Sequence, residues 1–525
     1  MTGAGVLARN LMVNWGGHAA NLLVMVFLSP FVVHTLGQVE YGLWYLLMVM
    51  AGYMGIFDLG VRASTGRHVV LYLGRGDHEA VRSTIQTGLG FFSLFGLLVL
   101  LLGVGLGWMF PRFFPRVPPE YYGLVRILVP MMAANVLLSA YGAIFGSVLV
   151  AHDRFDLCRA VDLVVLAVRT AGTVVALKGG YRITGLTVVL LAGNLLSLAG
   201  NYVLARRIYP RLVVRATLSR ARLRELLRYG AGAFISDAGV IVISQTPGFV
   251  VGVVLGLAAV AVYGVGAMLP FYGATFLVII GYTFFPPVQR ALARGELGTA
   301  RLLLFRQISL ALSLGMGLYV GFIFFGRSFL RLWMEGPDFD AVAVAQAAQV
   351  LRIVSIAGLL YLPIIGCREA LNALGHIRFN AVVTAVEAAL NLGLSVAILM
   401  LRRPWGLAGV ALATVVALIL GRGVLIPWYA CRKLQIPAGQ FLRSVGKAGG
   451  MTLAALMGWC WFVRWLIPAD SWSGFWLQIG LVVTGYVPMV MFGLVPEQDR
   501  ARLAGWLGWR RAAVDRGQPP PGNGC

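Results

Sequence analysis

The chain has 525 residues, of which 59% are hydrophobic and 12% charged, roughly half the charged share of a soluble protein. That balance excludes a water-soluble fold, and the long runs of Leu, Val, Ala and Gly lack the period-two alternation of a transmembrane β-barrel. A formal charge of +23 would suggest nucleic acid in a soluble chain, but here the placement of the basic residues sets membrane orientation and no nucleic-acid partner is expected.

In chain order, spans are expected near 11–35, 41–61, 83–110, 121–150, 157–177, 184–205, 229–254, 258–286, 299–325, 345–366, 379–401, 406–430, 448–467 and 474–494. Each run is close to the ~20 residues that cross a hydrocarbon core, so the fold class is an all-α polytopic membrane protein of about fourteen helices. Arg9 precedes the first run with no small-residue cleavage site, as in a retained first helix. Alternate connections hold Arg62, Arg67, Arg75 and Arg82, then Arg154 and Arg159, then the run from Arg206 to Arg228. The same side collects Arg290, Arg294, Arg301 and Arg306, then Arg368 and Arg378, then Arg432, Lys433, Arg443 and Lys447, and the tail from Arg500 to Arg516. Roughly thirty basic residues there face about nine on the other side, which places both termini in the cytoplasm. Tyr41, Trp44, Trp108, Tyr121, Tyr122, Trp333 and Trp428 fall near expected helix ends, at headgroup level. The five cysteines are scattered, mostly within or beside apolar helices, without metal-ligand spacing, so neither a metal nor a cofactor is expected.

After the sixth span, Leu218, Leu223, Leu226 and Leu227 alternate with Arg220, Arg222, Arg224 and Arg228, the pattern of a basic amphipathic helix on anionic inner-leaflet lipids. Leu36, Gly37, Tyr41 and Gly42 are echoed by Leu255, Gly256, Tyr263 and Gly264. Arg75-Gly76-Asp77 is echoed by Arg294-Gly295-Glu296, and Arg154-Phe155 by Arg378-Phe379. A common offset of about 220 residues with the same sidedness predicts two parallel six-helix repeats related by an axis along the membrane normal. The expected organisation is an N-terminal lobe over 1–207, a cytoplasmic linker over 208–228, a C-terminal lobe over 229–432, two additional helices within 433–497 and a cytoplasmic tail over 498–525.

The string Leu36-Gly37-Gln38-Val39-Glu40-Tyr41-Gly42-Leu43-Trp44, followed by Asp58-Leu59-Gly60 and Arg75-Gly76-Asp77, resembles the opening of the Wzx-type polysaccharide flippases. These share a superfamily with the MATE drug exporters and the lipid II flippases. The likeness is strongest over roughly the first 160 residues, and the two-lobe plan with two further helices extends it. The resemblance implies a bacterial inner-membrane transporter without enzymatic activity. It would move an undecaprenyl-diphosphate-linked oligosaccharide from the cytoplasmic to the periplasmic leaflet by rocking two lobes around a central cavity. Polysaccharide polymerase or assembly proteins are the protein partners it implies.

Ionisable side chains near mid-span are costly and mark a cavity or a partner. The arginine candidates for binding a substrate diphosphate are Arg126, Arg169 and Arg352, because guanidinium offers a planar fork matched to phosphate oxygens. The carboxylate candidates for coupling to an ion gradient are Asp162, Asp237 and Glu387. Asp162 and Arg169 lie on one helical face and could equally form a structural ion pair; Asp237 shares a face with Ser244 and Gln245; Glu387 belongs to a stripe of Asn380, Thr384 and Asn391. Arg126 is close enough to a helix end to snorkel, and Arg159 reads as an end anchor. Asp58, beside Gly60, reads as part of a helix end or bend.

The main rival is an ion-coupled multidrug or metabolite exporter of the same fold, but cationic cargo would prefer an acidic cavity over one with three arginines. A membrane polymerase or glycosyltransferase would need a catalytic constellation on a sizeable external loop, and the loops on the basic-poor side are all short. Gly446-Lys447 lacks the surroundings of a phosphate-binding loop. A scaffold that kept the fold and lost transport is a further alternative.

Overall fold

The computed structural model describes residues 3–400, 405–495 and Arg500; the expected tail over 498–525 lies, apart from Arg500, outside the described residues. Apart from one isolated bridge between Gly336 and Phe339, regular structure among these residues is helical. The helices are α1 (Gly3–Met54), α2 (Val61–Gly74), α3 (His78–Phe113), α4 (Tyr122–Ala151), α5 (Phe155–Lys178), α6 (Arg182–Ile208), α7 (Arg220–Val254) and α8 (Leu257–Ala293). They continue as α9 (Leu297–Met334), α10 (Ala341–Ala373), α11 (Ile377–Met400), α12 (Gly406–Leu418), α13 (Val424–Lys433), α14 (Ala438–Leu442), α15 (Ala448–Leu466) and α16 (Trp472–Gly493). Twelve described helices are long and apolar enough to cross a membrane. Two further expected spans are accounted for within them and beside them. α1 is two helices meeting at a bend, Gly37 (φ 75°, ψ 170°), and α15 occupies the thirteenth position.

The spanning helices are apolar on their outward faces as well as their buried ones, unlike those of a soluble protein. On α3, Ile85, Leu89, Phe92, Gly96, Val99, Gly103, Gly107 and Phe110 are buried at spacings of three and four, while the outward face carries Leu94, Leu97, Leu98 and Leu101, the last 61% exposed. Such a face needs lipid to cover it. The buried glycines let α4 approach: a Cβ on Gly103 would sit 2.8 Å from Ala133 Cβ, and one on Gly107 would sit 3.2 Å from the Arg126 backbone.

The repeat is written in the backbone. Gly37 and Gly256 (φ 75° and 90°), and Gly76 and Gly295 (φ 71° and 73°), both separated by about 220 residues, take the left-handed conformation that side chains disfavour. Gly37 bends α1 where Gly256 separates α7 from α8. Gly76 closes the turn between α2 and α3, where Asp77 Oδ1 accepts the Ala80 N–H at 2.9 Å and caps α3. The matching turn at Gly295 joins α8 to α9. The motif is therefore a helix-turn device, which explains why it marks a fold.

The chain forms two compact units. The first comprises residues 3–272, 329–357 and 375–426 as described; the division runs through α8, α9 and α10 and does not follow the sequence repeats. Inside this unit α4 packs on α3 and α6, α5 on α6 and α1, and α7 on α11. Gly266 abuts the Ala347 carbonyl, and Trp333 Nε1 donates to the Val26 carbonyl at 2.9 Å, which draws segment 329–357 onto the N-terminal helices. The expected amphipathic linker helix starts at Arg220, capped by Ser219, and runs unbroken into the seventh span as α7. Gly230, at the junction, faces Gly60 so closely that neither has room for a side chain, so the linker is held as part of the bundle.

The second unit comprises residues 273–328 and 358–374 and the described part of 427–525. The α15–α16 hairpin is fastened internally by Trp459 Nε1 donating to the Leu481 carbonyl at 3.0 Å. Tyr486 then docks α16 on α9: its ring lies over Gly317 and its hydroxyl donates to the Ser313 carbonyl at 2.9 Å.

Candidate functional site

Two clusters in the first unit put charge inside spans. On α11, Asn380, Thr384, Glu387, Asn391 and Ser395 are all buried, a polar seam turned towards α7 and α12. Gly239 of α7 abuts Thr384, and Asn391 Nδ2 donates to Thr414 Oγ1 of α12 at 3.0 Å. Glu387 is 1% exposed and Arg422, 8% exposed, meets it side-on: Nε donates to Oε2 at 2.6 Å and Nη2 to Oε1 at 2.7 Å. Arg422 sits in a π turn, Ile419–Gly423, and its own backbone N–H donates to Oε2 at 3.3 Å. Gly421 has no Cβ because Glu387 occupies that space. Both carboxylate oxygens of Glu387 are thus engaged by a resident cation, which the sequence reading did not single out. The signal was available: Arg422 is one charge between two glycines in an apolar span.

The second cluster lies where α4, α5 and α6 meet. Arg169 of α5 crosses Gly193 of α6, where any side chain would strike its guanidinium, and Nη2 donates to Asn194 Oδ1. Asn194 Nδ2 in turn donates to both the carbonyl and Oδ1 of Asn135 on α4, at 3.2 and 2.5 Å. All three residues are half-buried. Arg169 has no carboxylate partner among the described residues, and its Nε is buried without an acceptor. Asp162, which shares its helical face, does not reach it. Seven residues of helix separate them by about 10 Å, whereas Arg159 is one turn from Asp162 and pairs with it at 3.1 Å. Arg169 is a candidate in the sequence, whereas its hydrogen-bond neighbours Asn194 and Asn135 are not singled out there.

The remaining candidates are placed differently. Arg126 is exposed and stacks over the exposed Trp108 ring at 4.4 Å, an arrangement suited to a headgroup region. Asp237 is exposed on α7, and Arg352 is half-buried on α10. Arg126, Asp162, Arg169 and Glu387 each take a separate partner, so the structure does not join these four into one constellation.

Two polar clusters join elements at helix ends. Glu225, on the part of α7 outside its apolar stretch, accepts the Tyr72 hydroxyl of α2 and Arg222 Nη1 at 2.8 Å, with His68 Nε2 at 3.5 Å. Burial acts to raise the Glu225 carboxyl, but the bonds from Tyr72 and Arg222 outweigh it and hold it below the usual range. Burial, then Glu225, pushes the Tyr72 hydroxyl up. At the α1 bend, Arg182 Nε donates to Glu40 Oε1 at 2.6 Å and Nη2 to the Leu36 carbonyl at 3.1 Å. Glu40 lies inside the opening motif, so part of that motif serves a contact between α1 and α6.

The profile of a family described as lipid II flippase MurJ matches residues 72–480. The chain belongs to this family. Its members are flippases, membrane transporters of lipid-linked cargo. Over 94% of its length the chain is 23% identical to the "Uncharacterized membrane protein EpsK" of Bacillus subtilis (strain 168), covering 96% of that protein. A stretch of 99 residues, 18% of the chain and 23% of the relative, is 29% identical to the "Putative O-antigen transporter" of Shigella flexneri. Among solved structures, lipid II flippase MurJ in an inward closed conformation aligns with a TM-score of 0.63 at 14% identity, over 92% of this chain and 98% of that one. An inward-facing MATE multidrug transporter of the MOP superfamily aligns with a TM-score of 0.65 at 13% identity, over 78% and 98%. At those identities the likenesses establish the fold, a MurJ/MATE-like multi-pass helical membrane protein.

Proposed function

We propose that this MurJ-family protein flips a lipid diphosphate-linked oligosaccharide from the cytoplasmic to the periplasmic leaflet of a bacterial inner membrane, by alternating access and with both termini cytoplasmic, for O-antigen, capsule or exopolysaccharide assembly. The observation that carries the reading is Arg169, a guanidinium held inside the spans with no carboxylate beside it among the described residues. An uncompensated cation at that depth is costly unless an anion visits it. The diphosphate of a lipid-linked sugar is an anion of matching geometry. By contrast, Glu387 is matched by Arg422 and leaves no net charge to attract cargo. Arg352, half-buried on α10, is a second candidate contact.

Purified protein in liposomes carrying a fluorescent lipid diphosphate-oligosaccharide tests this. Wild type should expose label to the opposite leaflet. Arg169→Ala should slow translocation by roughly tenfold or more, the loss of one or two charge-assisted hydrogen bonds, and Arg169→Lys should recover part of it. Absence of translocation together with efflux of cationic dyes would instead assign the protein to drug export.

A further inference from the structure

We infer that Asn194 and Asn135 are positioning residues that orient Arg169 towards the substrate's diphosphate, with Gly193 as the slot the guanidinium needs; this rests on the reading of Arg169 given above. The argument begins with the amide of Asn194, which has two faces, one accepting and one donating. Nδ2 is committed twice over, to the backbone carbonyl and to Oδ1 of Asn135. Only Oδ1 is then left to face α5, and it accepts from Arg169 Nη2. Were the amide reversed, its N–H groups would confront a guanidinium that has only donors, and Asn135 would lose both bonds. The α4 residue therefore fixes which side of Asn194 meets the arginine.

The same geometry explains the choice of a neutral partner. Asn194 holds Nη2 without cancelling the charge, so the guanidinium is located yet remains attractive to an anion. An aspartate there would pair with the guanidinium and neutralise it, and would give up both bonds to Asn135. Gly193 completes the device, because an added Cβ would overlap Nε and drive the head group out of its place. Three helices thus share the device: α5 supplies the charge, α6 the slot and the acceptor, and α4 the orientation of that acceptor.

A structural role for Asn194 and a positioning role predict opposite orders of severity. If Asn194 only supports packing between α4, α5 and α6, then Asn194→Asp, which keeps the Arg169 contact but gives up both bonds to Asn135, should harm binding no more than Asn194→Ala, which gives up all three. If it positions an uncompensated cation, Asn194→Asp is the severe change. The experiment uses full-length protein in nanodiscs titrated with farnesyl diphosphate, with thermal unfolding measured on each variant. Expected is binding at least tenfold weaker for Asn194→Asp with an unfolding temperature no lower than that of Asn194→Ala, a smaller binding loss for Asn194→Ala, and a smaller one still for Asn135→Ala, whose backbone carbonyl remains. In liposomes the Asn194→Asp defect should appear in the substrate concentration for half-maximal flipping more than in the maximal rate. Arg169→Ala binding as tightly as wild type would overturn the substrate reading itself. Arg169→Ala losing binding while Asn194→Asp retains it would overturn only the positioning role.

Discussion

A charged side chain inside a span is interpretable only through its partner, and Glu387 and Arg169 illustrate the two outcomes. Glu387 lies in a polar seam suited to ion coupling, but Arg422 meets both of its oxygens at 2.6 and 2.7 Å. Removing one member strands the other in a low-dielectric interior. Glu387→Gln and Arg422→Ala should therefore each destabilise the protein by about 3–5 kcal/mol. Replacing both together with Leu and Met should cost much less than the sum. Thermal unfolding in detergent of the two single variants and the double variant checks this as a cycle, and additive losses would show that the two groups do not act as a pair. Among the described residues Arg169 has no such partner, which is why its substitution is expected to reach transport before stability.

At the level of elements, the segment expected to lie on the membrane surface is a continuation of α7 and is bonded to α2. Leu59 and Gly60 (φ 51° and 72°) turn the chain into α2, and the Gly60 and Gly230 backbones are in direct apposition. That closeness brings Glu225 to Tyr72, with Arg222 on the same helix and Arg67 over the Tyr229 ring at 4.1 Å. Because Glu225 is held below its unfolded value in the folded protein, its stabilising contribution is complete above the unfolded value and is lost as the pH falls through the folded one. Wild type should accordingly show a falling unfolding temperature on acidification through and below the usual carboxylate range, at fixed scan rate. Glu225→Gln should start lower at neutral pH and have a shallower acid slope. Parallel slopes would mean that the α2–α7 junction does not depend on this carboxylate.

Across the whole molecule, the count and order of spans were legible because each is a long apolar run, and the two repeats were legible because left-handed glycines recur at one interval. Partners were not legible, since reach across helices decides them: Asp162 takes Arg159 and not Arg169, and Glu387 takes an arginine 35 residues on. Nor could hydropathy separate a connection from a fastening. Glu40 and Arg182 fall at span ends, yet in the first unit they join α1 to α6 beside the Gly37 bend. Nearby, His34 Nε2 lies 3.0 Å from the Met334 carbonyl, and a Cβ on Gly37 would stand 3.7 Å from that of Asp338. These contacts gather the bends of α1 and of the segment between α9 and α10 at one end of the unit. In a rocking transporter that end must separate on each cycle. The Cβ spacing is within disulfide range, so Gly37→Cys combined with Asp338→Cys should cross-link on mild oxidation, at a strain of roughly 1–3 kcal/mol from the positive φ. The oxidised double variant should stop translocating in liposomes, and a reductant should restore it. Each single variant should be insensitive to oxidant. A cross-linked protein that still moves label would show that this end stays closed throughout the cycle, and the moving parts would have to be sought elsewhere in the bundle.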